Sequence, residues 1–204
     1  MVVLRFCPDD LSSKLSTLPR RLRTAFAAAC AQRLMPGYIR SASRNLNANP
    51  QQAVKILDEL WNDIRGGSAD GNKLNRDVES CAALLPGDDV SYFEGIEYAE
   101  NAILSLIFAI ESELKGAAER AAQAAGEVHD SLFIFVQGLV GDVESRADMA
   151  RIDSHPLMQA ELRRQAADLA DLESAAKNPG SEPPIVARIR RRAEADSEFL
   201  FRLP

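Results

Sequence analysis

Two long stretches separated by Gly116 carry apolar residues at three- and four-residue steps, and this spacing constrains the chain more than any other feature. Ile96, Ala99, Ile103, Leu106, Ile110 and Leu114 share one face of the first; Ala121, Ala125, Val128, Leu132, Val136 and Leu139 share one face of the second. That repeat belongs to the α-helix. Helices are therefore expected over 91–115 and 117–143, turning back at Gly116, a residue suited to a helix stop. Both apolar arcs are wide, with Phe108 and Ile134 outside the main stripes, which places the hairpin at the centre of a bundle.

Proline and glycine punctuate the rest. Pro8 opens a short helix ending near Thr17. Pro19 opens a second, expected to stop at Met35-Pro36, and a third covers 37–46. Asn49-Pro50 reads as an N-cap followed by proline at the first helical position, with Val54, Leu57, Leu60, Trp61 and Ile64 on one face before Gly66-Gly67. Further helices are expected over 73–85 and, capped by Ser154, over 156–177. Asn178 to Pro184 reads as a linker to a short charged helix. Alanine and leucine dominate and β-branched residues are sparse, which favours helix over strand. With 46% hydrophobic residues in 204, one sizeable core is within reach. The expected fold class is all-α, a single antiparallel multi-helix bundle with a central long helical hairpin. Residues 1–178 form the bundle and 179–204 a linker and charged C-terminal helix.

The formal net charge of −6 argues against a duplex-DNA binder. Acid is concentrated between Gly87 and Lys115, where seven carboxylates face Lys115 alone; Arg188, Arg190, Arg191 and Arg192 gather near the other end. The first ten residues have no long apolar run, and the longest such run, 102–110, is far short of the roughly 20 residues a membrane span needs. A soluble cytoplasmic protein is expected. Cys7, Cys30 and Cys81 fit neither a disulfide framework nor a zinc site by number and spacing, and read as idle or buried thiols.

Five stretches taken together resemble the bacterial YjaG-like family of unknown function: AFAAACAQRLMPGY (25–38), ILDELW (56–61), LLPGDDV (84–90), YAENA (98–102) and PLMQAELRRQAADLADLE (156–173). The resemblance spans about 11–177 and leaves the tail beyond Pro184 outside. It implies an all-α fold and a loose link to bacterial signalling, with no catalytic residues to carry over.

The residues themselves single out Glu100 and His129. At 100° per residue both fall inside the apolar arcs of their helices. A turn at Gly116 puts Leu132 opposite Glu100, and His129 lies three residues away, about 4–5 Å along the axis. A buried hydrogen-bonded pair that fixes register is the plain reading, and side chains that both reach the rim are the second; the functional reading is a proton-transfer pair in a small-molecule enzyme or sensor, or part of a metal centre. Other constellations are weaker. His129 and His155 lack the glutamate three residues earlier that a di-iron bundle uses. Glu97, Glu100 and Asp130 are an all-carboxylate magnesium candidate, set against a solvated acidic face. Arg151 and His155 are one residue too close for the arginine–histidine motif of helical ribonucleases. Gly66 to Gly71 lacks the lysine of a phosphate loop, and Trp61 reads as core. No cofactor or metal is expected. The function expected is a non-enzymatic interaction module with a protein partner or self-association, an RNA-binding Arg188–Arg192 tail being the weakest alternative.

Overall fold

In a computed structural model of the chain, residues 3–42, 48–86, 96–141 and 143–200 are described. Among them are nine α-helices and no strand: α1 (Pro8–Ser16), α2 (Arg20–Ser41), α3 (Pro50–Gly66), α4 (Gly71–Ala82), α5 (Ile96–Lys115), α6 (Ala118–Val140), α7 (Arg146–Asp153), α8 (Pro156–Lys177) and α9 (Glu182–Leu200). No helix is long and apolar enough to cross a membrane among the described residues. The all-α bundle read from periodicity is the fold.

The hairpin forms as its pattern implies. Gly116 sits at φ +63°, a left-handed conformation that glycine adopts without a Cβ penalty. Ser105 on α5 donates to the Ala124 carbonyl of α6 at 3.0 Å, which pins the register. Residues 91–95 of the expected first helix lie outside the described residues.

The most enclosed helix is α2. It packs against α3, α5, α6, α8 and α9, and Ala25, Ala27, Ala28, Ala29 and Ala31 are all buried. Methyl side chains let neighbours approach from every side, so α2 lacks the polar stripe of a surface helix. The expected stop at Met35-Pro36 does not occur, because α2 runs through Pro36 to Ser41. An interior proline costs about 3 kcal/mol in an isolated helix. Burial of Leu34, Met35 and Tyr38, each at most 2% exposed, offsets this, at about 1.5–3 kcal/mol for a large apolar side chain. The Tyr38 hydroxyl also accepts from the Asn49 N–H at 3.0 Å, tying the end of α2 to the start of α3. Residues 43–46 of the expected third helix lie outside the described residues.

The boundaries of α3 follow the sequence closely. The Asn49 side chain accepts from the Gln52 N–H, Pro50 is the first residue, and Gly67 closes the helix at φ +74°. The expected cap of α8 does not hold. Ser145 and Asp148 form a capping box that starts an additional helix, α7, and Ser154 is its C-cap. The role passes to His155, whose Nδ1 accepts from the Leu157 N–H at 3.3 Å.

Asn178 to Pro184 is more ordered than a linker. Pro179–Ser181 form a 3-10 turn, and Pro183 and Pro184 lie in the first turn of α9, where no helical N–H is required. Helix α9 then packs on α2 and α8 and buries Val186, Ile189 and Ala193. At the other end, residues 3–7 form a strap. Gln159 on α8 accepts from the Leu4 N–H at 2.9 Å and donates to the Leu4 carbonyl at 2.8 Å, and Phe6 stacks on His129 of α6 with ring centroids 4.8 Å apart.

Candidate functional site

The polar residues that matter most to the interior are ones the periodicity left unremarked. Arg33, in the middle of the alanine-rich face of α2, has its side chain 1% exposed. Its guanidinium lies 3.0 Å from Glu161 and donates to Asp168 at 3.0 Å, both on α8 and both buried. Residues 161, 165 and 168 fall at four- and three-residue steps, which puts them on one stripe of α8; Gln165 donates to Glu161 at 3.0 Å. Asp168 also accepts from Arg192 of α9, which reaches Asp171 at 2.9 Å. One charge set thus joins α2, α8 and α9.

Burial pushes the Glu161 carboxyl above the usual range, more than the facing Arg33 pulls it down. Burial also works against the Arg33 charge, but the nearby Glu161 and Asp168 carboxylates outweigh it and hold that pKa above its ordinary value. Cys30, one turn from Arg33, takes a 3.3 Å contact from the guanidinium. Its burial nonetheless pushes the thiol pKa up to about 12, which disfavours the thiolate at neutral pH. Both halves of the network lie in the two longest stretches that carried the family resemblance. A lone arginine inside an apolar helix, with acids at i and i+7 on another, is the signal that points to it.

Glu100 and His129 are not joined by a hydrogen bond or ion pair. The seam between α5 and α6 is taken by Asn101, whose side-chain amide lies 3.0 Å from the Ser131 hydroxyl. Glu100, one residue earlier, is turned about 100° away and is exposed. His129 is half-buried between Phe6 and Phe133, with Nδ1 3.2 Å from Asp130. The register implied by a turn at Gly116 is kept, and the polar residue in the seam is the one after Glu100. The carboxylate that feels this environment is Glu127: burial first, then Asp130 and Glu100, push its pKa up to about 7. Among the described residues no group of three or more His, Cys, Asp or Glu side chains is placed to hold a metal, Glu97, Glu100 and Asp130 included.

Two surface grooves stand out, and neither is lined by Glu100 or His129. The smaller, about 190 Å³, lies under the strap, between Leu4 and Phe6 on one side and Leu162 and Leu169 on the other. The larger, about 250 Å³, lies between α9, the C-terminal end of α3 and the start of α2. Trp61, Pro183, Val186 and Ala187 supply its apolar lining; Arg21, Arg65, Arg190, Arg191 and the Glu194 carboxylate frame it. Helical geometry sorts the arginine run that the sequence showed as one block. Arg188 and Arg192, four apart, face α8 and pair with Asp171 and Asp168. Arg190 faces the groove, 2.6 Å from Asp58 and 2.8 Å from Glu194, with its guanidinium 5.9 Å from the centre of the Trp61 ring. Arg21 donates to the Ile64 and Arg65 carbonyls that end α3, satisfying groups a helix terminus leaves open. Trp61 is core, as its face implied: it is 2% exposed and donates to Gln32 at 3.3 Å.

Comparison with known proteins adds fold and family without chemistry. The family described as a protein of unknown function (DUF416) matches residues 10–197, so the match reaches into α9, beyond the limit at Pro184 set by the sequence resemblance. The fold is similar to the crystal structure of a DUF416 family protein from Shewanella baltica OS155, with 17% identity, a TM-score of 0.76, and coverage of 89% of this chain and 92% of that one. A search of curated proteins found no match.

Proposed function

Taking as premise that the chain belongs to the DUF416 family of unknown function, we propose that it is a non-enzymatic interaction module that holds another protein at the arginine-framed groove beside α9. One observation carries this reading. Arg65 and Arg191 are exposed at the rim of that groove and form no ion pair with any described residue, Arg65 donating only to the neutral Asn62 amide oxygen at 2.5 Å, whereas Arg188, Arg190 and Arg192 are each matched by a carboxylate. Unmatched guanidinium groups beside an apolar lining suit recognition of a partner, because arginine combines a fixed donor fork with weak hydration. The α2–α8–α9 charge network supports the reading by tying α9, one side of the groove, to α8 and α2. A cytoplasmic setting suits a chain built this way. The narrower YjaG-like label and a place in bacterial signalling rest on the sequence resemblance alone.

A photo-crosslinking residue placed at Ala187 in the native host tests the proposal, with exposed Glu119 on α6 as the control position. The expected result is a discrete protein adduct from position 187 that disappears in Arg191→Glu and is missing from position 119. An adduct of twice the chain mass assigns the face to self-association. No adduct at 187, or the same pattern from both positions, overturns the reading.

A further inference from the structure

Building on the interaction reading of the α9 groove, we infer that the segment it takes is an acidic peptide with a single aliphatic anchor: one apolar side chain set on the Val186–Ala187 lining and carboxylates on both sides meeting Arg65 and Arg191. Size sets the first half. At about 250 Å³ the groove is smaller than the roughly 300–1,000 Å³ of a typical small-molecule site. It suits the insertion of one side chain from a partner whose backbone stays outside.

Charge sets the second half. Arg21 is engaged by helix-end carbonyls and lies 3.8 Å from the Glu182 carboxylate, and Arg190 is engaged by two carboxylates. The positive charge without a carboxylate partner is that of Arg65 on α3 and Arg191 on α9. Two separated guanidinium forks match two carboxylates that flank an anchor, each fork in the bidentate geometry such pairs adopt. The same geometry disfavours nucleic acid. Base stacking needs an open aromatic face, and Trp61 is 2% exposed beneath Arg190.

Trp61 is the single tryptophan of the chain, so its fluorescence reports on this groove directly. The probe is a capped pentapeptide of one leucine flanked on each side by two glutamates, titrated into the full chain at low salt. Saturable change in Trp61 emission is expected, weakening at least fivefold when salt is raised from about 50 to 300 mM, as charge pairing at a surface requires. The affinity falls roughly tenfold in Arg65→Ala and again in Arg191→Ala, both exposed positions whose loss leaves the thermal midpoint unchanged. Replacing the glutamates with glutamines, or the leucine with serine, abolishes the change. Saturation by inorganic phosphate or a nucleoside diphosphate with the peptide inert overturns the inference in favour of a small-anion site. Equal binding of the glutamine peptide overturns it as well. If the Ala187 crosslink captures a protein while the acidic peptide shows no change up to millimolar concentration, the anchor-and-carboxylate chemistry is wrong and the interaction reading stands. If the crosslink also yields nothing, both fall.

Discussion

Removing Arg33 is the sharpest test of how this bundle is held together. Substitution by methionine keeps an unbranched apolar stem and deletes the guanidinium and its charge. Two buried carboxylates, Glu161 and Asp168, then lose their shared partner. Asp168 keeps Arg192. Glu161 keeps the Gln165 amide at 3.0 Å and Arg164 at 3.8 Å, so the uncompensated charge falls mainly on Glu161, which is 1% exposed. Stripping one partner from a buried ion pair costs about 3–5 kcal/mol, most of it the desolvation of the survivor. For a domain of this size that is a fall in Tm of roughly 6–20 °C.

The penalty also has a sign in pH. The Glu161 pKa already stands above its ordinary value because of burial, and losing Arg33 raises it further. A carboxyl that binds its proton more tightly in the folded state stabilises at low pH, and that stability is lost as pH rises through the folded pKa. Urea unfolding of Arg33→Met should therefore show a larger deficit at pH 8 than at pH 5. Arg33→Met with Glu161→Met should recover at least about half of it, since an apolar pair replaces the orphaned charge. A deficit below about 1 kcal/mol, a deficit flat between those pH values, or a double variant no better than the single one would each refute the reasoning.

Glu127→Gln on α6 should raise stability at pH 8 and leave it nearly unchanged at pH 4, because the crowded carboxyl, pushed up to about 7 from its ordinary 4.5, disfavours the fold only as pH rises through that window; chemical denaturation at the two pH values reads this. Among the three cysteines, Cys7 is exposed while Cys30 and Cys81 are buried, with burial pushing both pKa values up to about 12. A chromogenic disulfide reagent at pH 8 should titrate one thiol per native chain and three after denaturation, and fast labelling of all three in the native protein would contradict the packing. Gln159→Leu removes the hydrogen bonds to both backbone groups of Leu4 and to the Asp153 carbonyl. It should cost about 1–3 kcal/mol and speed protease cleavage near Cys7, an effect checked by limited proteolysis with mass detection.

Local rules carried much of the architecture. Helix periodicity, the glycine at 116 and the cap at Asn49-Pro50 are read from neighbours within a turn, and the chain obeys them. They fail where distant surfaces compete with local preference. Pro36 reads as a stop until burial on every side of α2 is known, and the proline-rich stretch after Asn178 reads as a loose connector until α9 is seen packed on α2. Short polar signals such as the Ser145–Asp148 box open a helix that apolar spacing does not reveal.

Fold class, hairpin and approximate register are legible along the chain, because each follows from spacing within one segment. Which polar residues meet is set by how the helices pack. A single residue's step around a helix rotated Glu100 out and brought Asn101 into the seam, and residues 135 positions apart, Arg33 and Asp168, became hydrogen-bonded partners. The arginine run divided in the same way, part of it neutralised against α8 and part left at the rim of a groove. Such pairings depend on the rotation and crossing of whole helices, which are fixed by the packing of all of them at once and by no segment alone.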